Sequence, residues 1–235
     1  MLEELKEEVC RANLELKEQN LVLYSWGNVS GIDRKNNIIA IKPSGVAYDQ
    51  LTPEKIILLD LDGKIVEGSL NPSSDTPTHL ELYRRFAALG GVCHTHSKYA
   101  TMWAQACKCI PCLGTTHADY FYGAVPVTAV MDSGLIKGDY ELNTGRIIAD
   151  TFKDRDPMQV PAVLVANHGP FTWGKNAASA VESAVVLEEV ARIAFGTLLI
   201  NPAIKDIDTI LLDKHYLRKH GKDAYYGQKN RQDTI

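Results

Sequence analysis

The stretch Gly90-Gly91-Val92-Cys93-His94-Thr95-His96-Ser97 constrains the 235-residue chain more than any other, because a short apolar lead ends in two histidines one residue apart. Read as a strand, it sends Val92, His94 and His96 to one face and Cys93 and Thr95 to the other. Two residues of strand rise separate the imidazoles by roughly 6.5 to 7 Å at the backbone, so both rings can close on one ion about 2.0 to 2.1 Å from each nitrogen. The pair is half of a metal site, and the other half has to come from elsewhere in the chain.

A candidate third imidazole is His168, in Val163-Leu164-Val165-Ala166-Asn167-His168-Gly169-Pro170, where another buried-type strand runs into a Gly-Pro stop. The carboxylate candidate is Asp75, in Asn71-Pro72-Ser73-Ser74-Asp75-Thr76-Pro77. Three neutral imidazoles and a carboxylate suit zinc best, and manganese, cobalt or nickel could substitute.

The chain is 45% hydrophobic, which is enough to bury a sizeable core, and no linker or low-complexity tract divides it, so one domain is expected. Lysine and arginine total 25 against 29 acidic residues, for a net charge of -4 without a block of like charge. Nucleic acid and anionic membranes are therefore poor partners. The opening Met1-Leu2-Glu3-Glu4-Leu5-Lys6 lacks the basic start and apolar core of a signal peptide, and no apolar run is long enough to span a bilayer, so a soluble cytoplasmic protein is expected. The cysteines number five, three of them in Cys107-Lys108-Cys109-Ile110-Pro111-Cys112. Without a second pair they read as reduced thiols.

Leu2, Leu5, Val9, Ala12 and Leu16 recur at helical spacing, and Asn20 is placed to end that helix. An apolar strand over 21–24 precedes Ser25-Trp26-Gly27-Asn28-Val29-Ser30-Gly31, where small residues let backbone approach a ligand. A strand over 38–41 leads into Lys42-Pro43-Ser44-Gly45, a cation, a hydroxyl and a glycine amide suited to a phosphate. A hairpin follows over 56–61 and 64–66, turning at Asp62-Gly63. Ser73 and Ser74 stand before Pro77, which can start a helix, and free amides at a helix start bind anions.

Further helices are expected over 98–106, capped by Ser97, over 144–152 and over 176–199. Between the first two of these lies Gly114-Thr115-Thr116-His117-Ala118-Asp119-Tyr120-Phe121-Tyr122-Gly123, whose crowding of polar and aromatic groups is typical of functional loops. The tail is helical to Gly221 and then carries Tyr225-Tyr226. His79, His117 and His220 are read as structural histidines.

Taken together, Trp26-Gly27-Asn28-Val29-Ser30, Lys42-Pro43-Ser44-Gly45, Ser73-Ser74-Asp75-Thr76-Pro77-Thr78-His79, His94-Thr95-His96, the segment 115–123, His168-Gly169-Pro170 and the tail over 211–228 resemble the class II aldolase and epimerase family, in its L-ribulose-5-phosphate 4-epimerase branch. The resemblance covers 1–228 and leaves 229–235 as an extension expected to be disordered. It implies an α/β fold with α/β/α layers around a mainly antiparallel sheet. It places Asp75, His94, His96 and His168 at the metal positions. Gly27, Asn28, Ser44, Gly45, Ser73 and Ser74 take the substrate and phosphate positions, joined here by Lys42 and Thr115, and Asp119 and Tyr226 match an acid/base pair, with His215 placed to orient or tune Tyr226.

The activity implied is an isomerase reaction of the kind used in L-arabinose catabolism: retro-aldol cleavage and re-addition between C3 and C4 of a pentulose 5-phosphate, inverting C4. One divalent ion per subunit, most simply Zn2+, and a homotetramer with active sites between subunits are implied too. A sugar-phosphate aldolase of the same family is the alternative, but those relatives tend to carry glutamate where this chain has Asp75. A zinc hydrolase is disfavoured by the lack of His-Glu-x-x-His, and a structural zinc protein by the phosphate loops.

Overall fold

The computed structural model describes residues 2–226, so the expected extension 229–235 lies outside the described residues. The elements in order are α1 (Leu2–Glu18), β1 (Asn28–Asp33), β2 (Ile38–Ile41), β3 (Ile57–Asp60), β4 (Ile65–Glu67), α2 (Thr76–Arg85), β5 (Gly91–His94) and α3 (Lys98–Gln105), followed by α4 (Thr115–Ala118), α5 (Ser133–Lys137), α6 (Tyr140–Thr151), β6 (Ala162–Leu164), β7 (Pro170–Gly174), α7 (Ala177–Ile200) and α8 (Thr209–His220). The strands form one antiparallel sheet in the order β4-β3-β2-β1-β5-β7-β6. The described α-helices number eight and the sheet has seven strands.

Period-two alternation splits the core between the two faces of the sheet. Ile32, Ile39, Val92, Phe171 and Trp173 join the α2 and α6 side chains Leu82, Tyr83 and Ile148 in one cluster. Val29, Ala40, Leu58 and Cys93 join Val9, Ala12 and Leu16 of α1 in the other. The long α7 serves both, giving Ala177, Ala180, Val181 and Ala184 to the second cluster and Leu187, Val190, Ala191 and Ala194 to the first. The helices on both faces give the layered α/β architecture that the sequence implies. No described helix is long and apolar enough to cross a membrane.

Several local expectations need correction. The apolar run 21–24 is not a strand: Leu21 and Val22 are buried, but Tyr24 has a φ of 53° and the chain turns there. β5 ends at His94, so His96 lies two residues beyond the strand rather than on it. His168 sits in the turn between β6 and β7, and Pro170 opens a strand instead of stopping one. The helix expected from 144 begins at Tyr140. Ser97 occupies the N-cap of α3 without a side-chain cap. Instead the Glu188 carboxylate of α7 accepts hydrogen bonds from the Tyr99 and Ala100 amides at 2.9 to 3.1 Å, meeting the unpaired donors of that helix start.

Trp173 is fully buried and its Nε1 donates to the Pro157 carbonyl at 2.8 Å. Trp173→Ala is expected to lower the unfolding free energy by about 3 to 5 kcal/mol through lost packing and a cavity. The exposed Lys17→Ala should stay within about 0.5 kcal/mol of wild type. Urea denaturation followed by circular dichroism checks both.

Candidate metal centre

β5 lies inside the sheet, next to the central strand, paired with β1 through Asn28 opposite His94 and with β7 through Phe171 opposite His94. These registers bring three separate pieces of chain to one end of the sheet. Gly27, just before β1, has a φ of 74°, and a Cβ there would sit 2.8 Å from the His94 carbonyl, so a side chain is excluded on both counts. Gly169 lets the β6–β7 turn come equally close, since its Cβ would lie 2.9 Å from the Thr95 carbonyl.

The result is a group of ligand nitrogens from His94, His96 and His168, all within 4.8 Å of one another. His94 Nδ1 lies 2.9 Å from the Pro170 carbonyl, which can only accept, so the ring proton sits on Nδ1 and the Nε2 lone pair is left free. That Nε2 is 3.1 Å from His96 Nε2. Two nitrogens each about 2.05 Å from a tetrahedral ion stand roughly 3.3 Å apart, so the spacing fits a shared cation. Phe171 stacks on the His94 ring at 4.2 Å and 16°, fixing its plane. The Tyr140 hydroxyl lies 3.3 Å from His168 Nδ1.

Burial pushes the His96 and His168 imidazoles down to about 4, and the neighbouring imidazoles add to the shift. Both rings are therefore neutral ligands at ordinary pH. Asp75 lies outside the imidazole group but lines the same cavity. Burial pushes its carboxyl up, yet the fields of His94 and His79 and the Asn28 hydrogen bond outweigh that and hold it below the usual carboxylate range. Asn28 Nδ2 donates to Asp75 Oδ2 at 2.6 Å and to Ser73 Oγ at 3.0 Å.

This cavity, of about 540 Å³, is also lined by Gly27, Asn28, Lys42, Ser44, Gly45, Ser73 and Ser74. Lys42 is buried, with Nζ 3.4 Å from the Ser25 and Pro43 carbonyls and 4.9 Å from the centre of the Tyr48 ring. No carboxylate neutralises it among these contacts, and burial pushes its ammonium down to about 8. Trp26 and Tyr140 complete the wall. Neither is a sequence candidate, although Trp26 sits inside a recognised motif. Tyr140 has no local signal beyond an aromatic at a helix start, and only the fold carries it to His168.

The remaining candidates gather elsewhere. Asp119, just after α4, receives a bidentate pair from Arg218 of α8, Nε to Oδ1 at 3.2 Å and Nη2 to Oδ2 at 2.9 Å, and lies 3.0 Å from His215 Nδ1. Burial pushes the Asp119 carboxyl up, but the Arg218 and His215 contacts prevail and hold it low. Tyr226 is exposed, with the Arg218 guanidinium 5.0 Å and the Lys219 ammonium 4.5 Å from its ring centre. Thr115 stands one helical turn before Asp119, its carbonyl accepting from the Asp119 amide. His215 thus contacts Asp119 rather than Tyr226, and none of these four residues lines the imidazole cavity of the same chain. His117, bonded through Nε2 to the Gly123 carbonyl at 2.8 Å, is structural as expected. All five cysteines are free.

The model of the family described as class II aldolase and adducin N-terminal domain matches residues 7–195, most of the chain. This chain belongs to the class II aldolase family. Among solved structures it is similar to an L-fuculose 1-phosphate aldolase, at 25% identity and a TM-score of 0.73, covering 90% of this chain and 95% of that one. It also shares the fold of YgbL from Klebsiella pneumoniae, described as a putative aldolase/epimerase/decarboxylase, at 23% identity and a TM-score of 0.72 over 91% and 98% of the two chains. L-fuculose-1-phosphate aldolase from Thermus thermophilus has the same fold, at 24% identity and a TM-score of 0.66 over 86% and 98%. A divalent ion, typically zinc in class II aldolases, is consistent with the imidazole group.

The purified protein is expected to carry about one divalent ion per chain by elemental analysis, and His168→Asn should lose most of it. For the metal-stripped protein, the low folded values of His96 and His168, about 4 against an ordinary 6.5, set a sign for the pH dependence. The unfolded chain takes up these protons first, so stability falls as pH drops from about 6.5 to 4, and the lowered Asp75 value continues the loss at more acidic pH, where unfolded carboxylates take up protons. Urea midpoints across pH 4 to 8 test this, and a flat profile below 6.5 would contradict it.

Proposed function

We propose that the protein is a metal-dependent epimerase interconverting L-ribulose 5-phosphate and D-xylulose 5-phosphate, as in L-arabinose catabolism, with Asp75, His94, His96 and His168 holding Zn2+ or a similar divalent ion. The observation that carries this reading is a three-imidazole group opening on a cavity walled by serines, glycine amides and a buried lysine. Neutral donors and one desolvated cation suit a phosphate dianion on a small polyol. The match to the phosphorylated-sugar aldolase fold supports the same substrate class.

A divalent ion in this group would supply electrophilic polarisation of the ketose C2 carbonyl and C3 hydroxyl, easing cleavage of the C3–C4 bond. Ser44, Gly45, Ser73 and Ser74 would hold the phosphate, with Lys42 beside them, so that the two-carbon aldehyde can turn without leaving. Cleavage takes the proton from the C4 hydroxyl. Re-addition to the other aldehyde face returns a proton to that oxygen from the opposite side. Asp119 and Tyr226 would serve the two sides, with Thr115 near the substrate and His215 holding Asp119. Because they stand apart from the imidazole cavity of their own chain, this role requires the cavity of a neighbouring subunit, in a homotetramer with shared sites.

The alternative is a class II sugar-phosphate aldolase, and product analysis separates the two. L-ribulose 5-phosphate should give mainly D-xylulose 5-phosphate, with glycolaldehyde phosphate and dihydroxyacetone as trace leakage. Net cleavage as the main outcome would overturn the epimerase. Ser44→Ala and Ser74→Ala should each raise KM through loss of a charge-assisted hydrogen bond of about 1.5 to 3 kcal/mol, roughly 10- to 150-fold.

Shared sites predict complementation. His94→Asn and Tyr226→Phe should each be nearly inactive alone, but co-expressed chains place an intact metal half against an intact tyrosine, so a fraction of sites recovers. No gain in hybrids confirmed by tags would refute the shared site.

A further inference from the structure

Lys42 follows β2 and is buried, and the groups that hold its ammonium are uncharged: the Ser25 and Pro43 carbonyls, each 3.4 Å from Nζ, and the ring of Tyr48, whose centre lies 4.9 Å away. An ammonium taken out of water is costly unless something answers its charge. Contacts of 3.4 Å are long for hydrogen bonds from a charged donor, so the two carbonyls answer it poorly by themselves. The aromatic ring adds the attraction of its quadrupole, and it does so without cancelling the charge. A carboxylate in the same place would leave a neutral pair, whereas a ring leaves the positive charge at the cavity wall.

Tyr48 is itself buried, six residues further on, at the start of a single 3-10 turn, Tyr48–Gln50. Its hydroxyl lies 2.8 Å from the Trp26 carbonyl and 3.0 Å from the Gly27 carbonyl and shares its one proton between them. Burial pushes the phenol up, so that proton stays in place at ordinary pH. Three successive carbonyls, those of Ser25, Trp26 and Gly27, are thus held by two side chains, the first by Lys42 and the other two by Tyr48. Tyr48 stands behind the cavity, for Ser25, Trp26, Gly27 and Lys42 line it and Tyr48 does not.

The backbone around Lys42 is tied to the serine segments as well. The Ser73 amide donates to the Lys42 carbonyl at 3.1 Å, and the Ser44 amide donates to the Asn71 carbonyl at 2.9 Å. The pieces carrying Ser44 and Ser73 are therefore joined at Lys42 by backbone bonds, while residues 25–27 are joined to the same lysine by its ammonium and by Tyr48. We propose that Tyr48 is a positioning residue for the anion site: its ring holds the Lys42 ammonium in place without neutralising it, and its hydroxyl holds the 25–27 segment against which that ammonium rests. Tyr48 acts through Lys42 and touches no substrate. The inference rests on the reading of the cavity as a phosphate site with Lys42 as its cation.

The test is calorimetric titration of the zinc-loaded full chain with inorganic phosphate, a probe that does not depend on which sugar the site takes. Lys42→Met should weaken binding roughly 10- to 100-fold through loss of a charge-assisted contact. Tyr48→Leu, which removes both ring and hydroxyl, should weaken it roughly 10- to 30-fold. Tyr48→Phe keeps the ring and loses only the hold on the Trp26 and Gly27 carbonyls, so it should cost roughly 3- to 10-fold. Because Tyr48 acts through the ammonium, adding either Tyr48 change to Lys42→Met should cost no more than about a further two-fold. A tyrosine with a purely structural role would lower affinity as much in the Lys42→Met background as in wild type, and that additive result overturns the proposal. Wild-type affinity in both Tyr48 variants, with Lys42→Met still weakened, overturns it too. If Lys42→Met binds phosphate as tightly as wild type, or wild type does not bind it, the phosphate reading of the cavity falls and the proposal falls with it. Tyr48→Phe carries the test should Tyr48→Leu fail to fold.

Discussion

The antiparallel pairing of β5 with β1 on one side and β7 on the other fixes the geometry of the centre. One register sets Asn28 opposite His94, and the other sets Phe171 opposite His94. The first delivers the amide that holds Asp75, and the second delivers both the ring that stacks on His94 and the Pro170 carbonyl that fixes its tautomer. A one-residue slip in either pairing would turn these side chains to the opposite face. The fully buried apolar residues of β5 and β7 on both faces, Val92 and Trp173 on one and Cys93 on the other, make such a slip costly. The core thus sets the register, and the register sets the ligand geometry.

Charge is distributed unevenly between the two candidate clusters. Around the imidazoles stand neutral rings, hydroxyls and amides, one carboxylate, Asp75, and Lys42, a cation that its contacts leave unneutralised. Around Asp119 the arrangement differs, for the Arg218 guanidinium, the Lys219 ammonium and the His215 imidazole converge on one carboxylate, and the two cations also face the Tyr226 ring. A buried lysine without a carboxylate partner suits a dianionic substrate, whereas the Asp119 carboxylate is already paired within its own chain. The second cluster keeps its exposed tyrosine available for contacts beyond its own chain.

Much of this is legible in the sequence because the chemistry-bearing residues are consecutive in short motifs. Ser44 and Gly45, Ser73 to Asp75, and His94 with His96 each arrive together, and the fold only has to bring three or four such pieces to one place. The misplaced elements follow from ambiguity in short apolar runs. Residues 163–166 have the composition of a strand, but the paired segment that matters for His94 starts at Pro170, on the other side of the turn. β1, with the sequence Asn-Val-Ser-Gly-Ile-Asp, reads as a loop because its polar residues serve Asp75 and His79 rather than water. Tyr140 gives no signal because its partner, His168, is far away in sequence. His79 reads as a satisfied histidine, but only its Nδ1 is satisfied.

The hydrogen bond between Asn28 and Asp75 also weighs on the choice between epimerisation and net cleavage. An aldolase must return a proton to the carbon of the three-carbon fragment before releasing it, which calls for an acid of raised pKa close to that carbon. Asp75 is the acidic side chain lining the imidazole cavity, and its carboxyl is held below the usual range by the surrounding imidazoles and by a 2.6 Å hydrogen bond from Asn28. A carboxylate so stabilised is a poor proton carrier and a good fixed charge. The shorter aspartate, tied to Asn28, is therefore poorly suited to quenching the fragment. A fragment left unprotonated beside a bound aldehyde has recombination as its easiest course, and recombination on the opposite face is epimerisation.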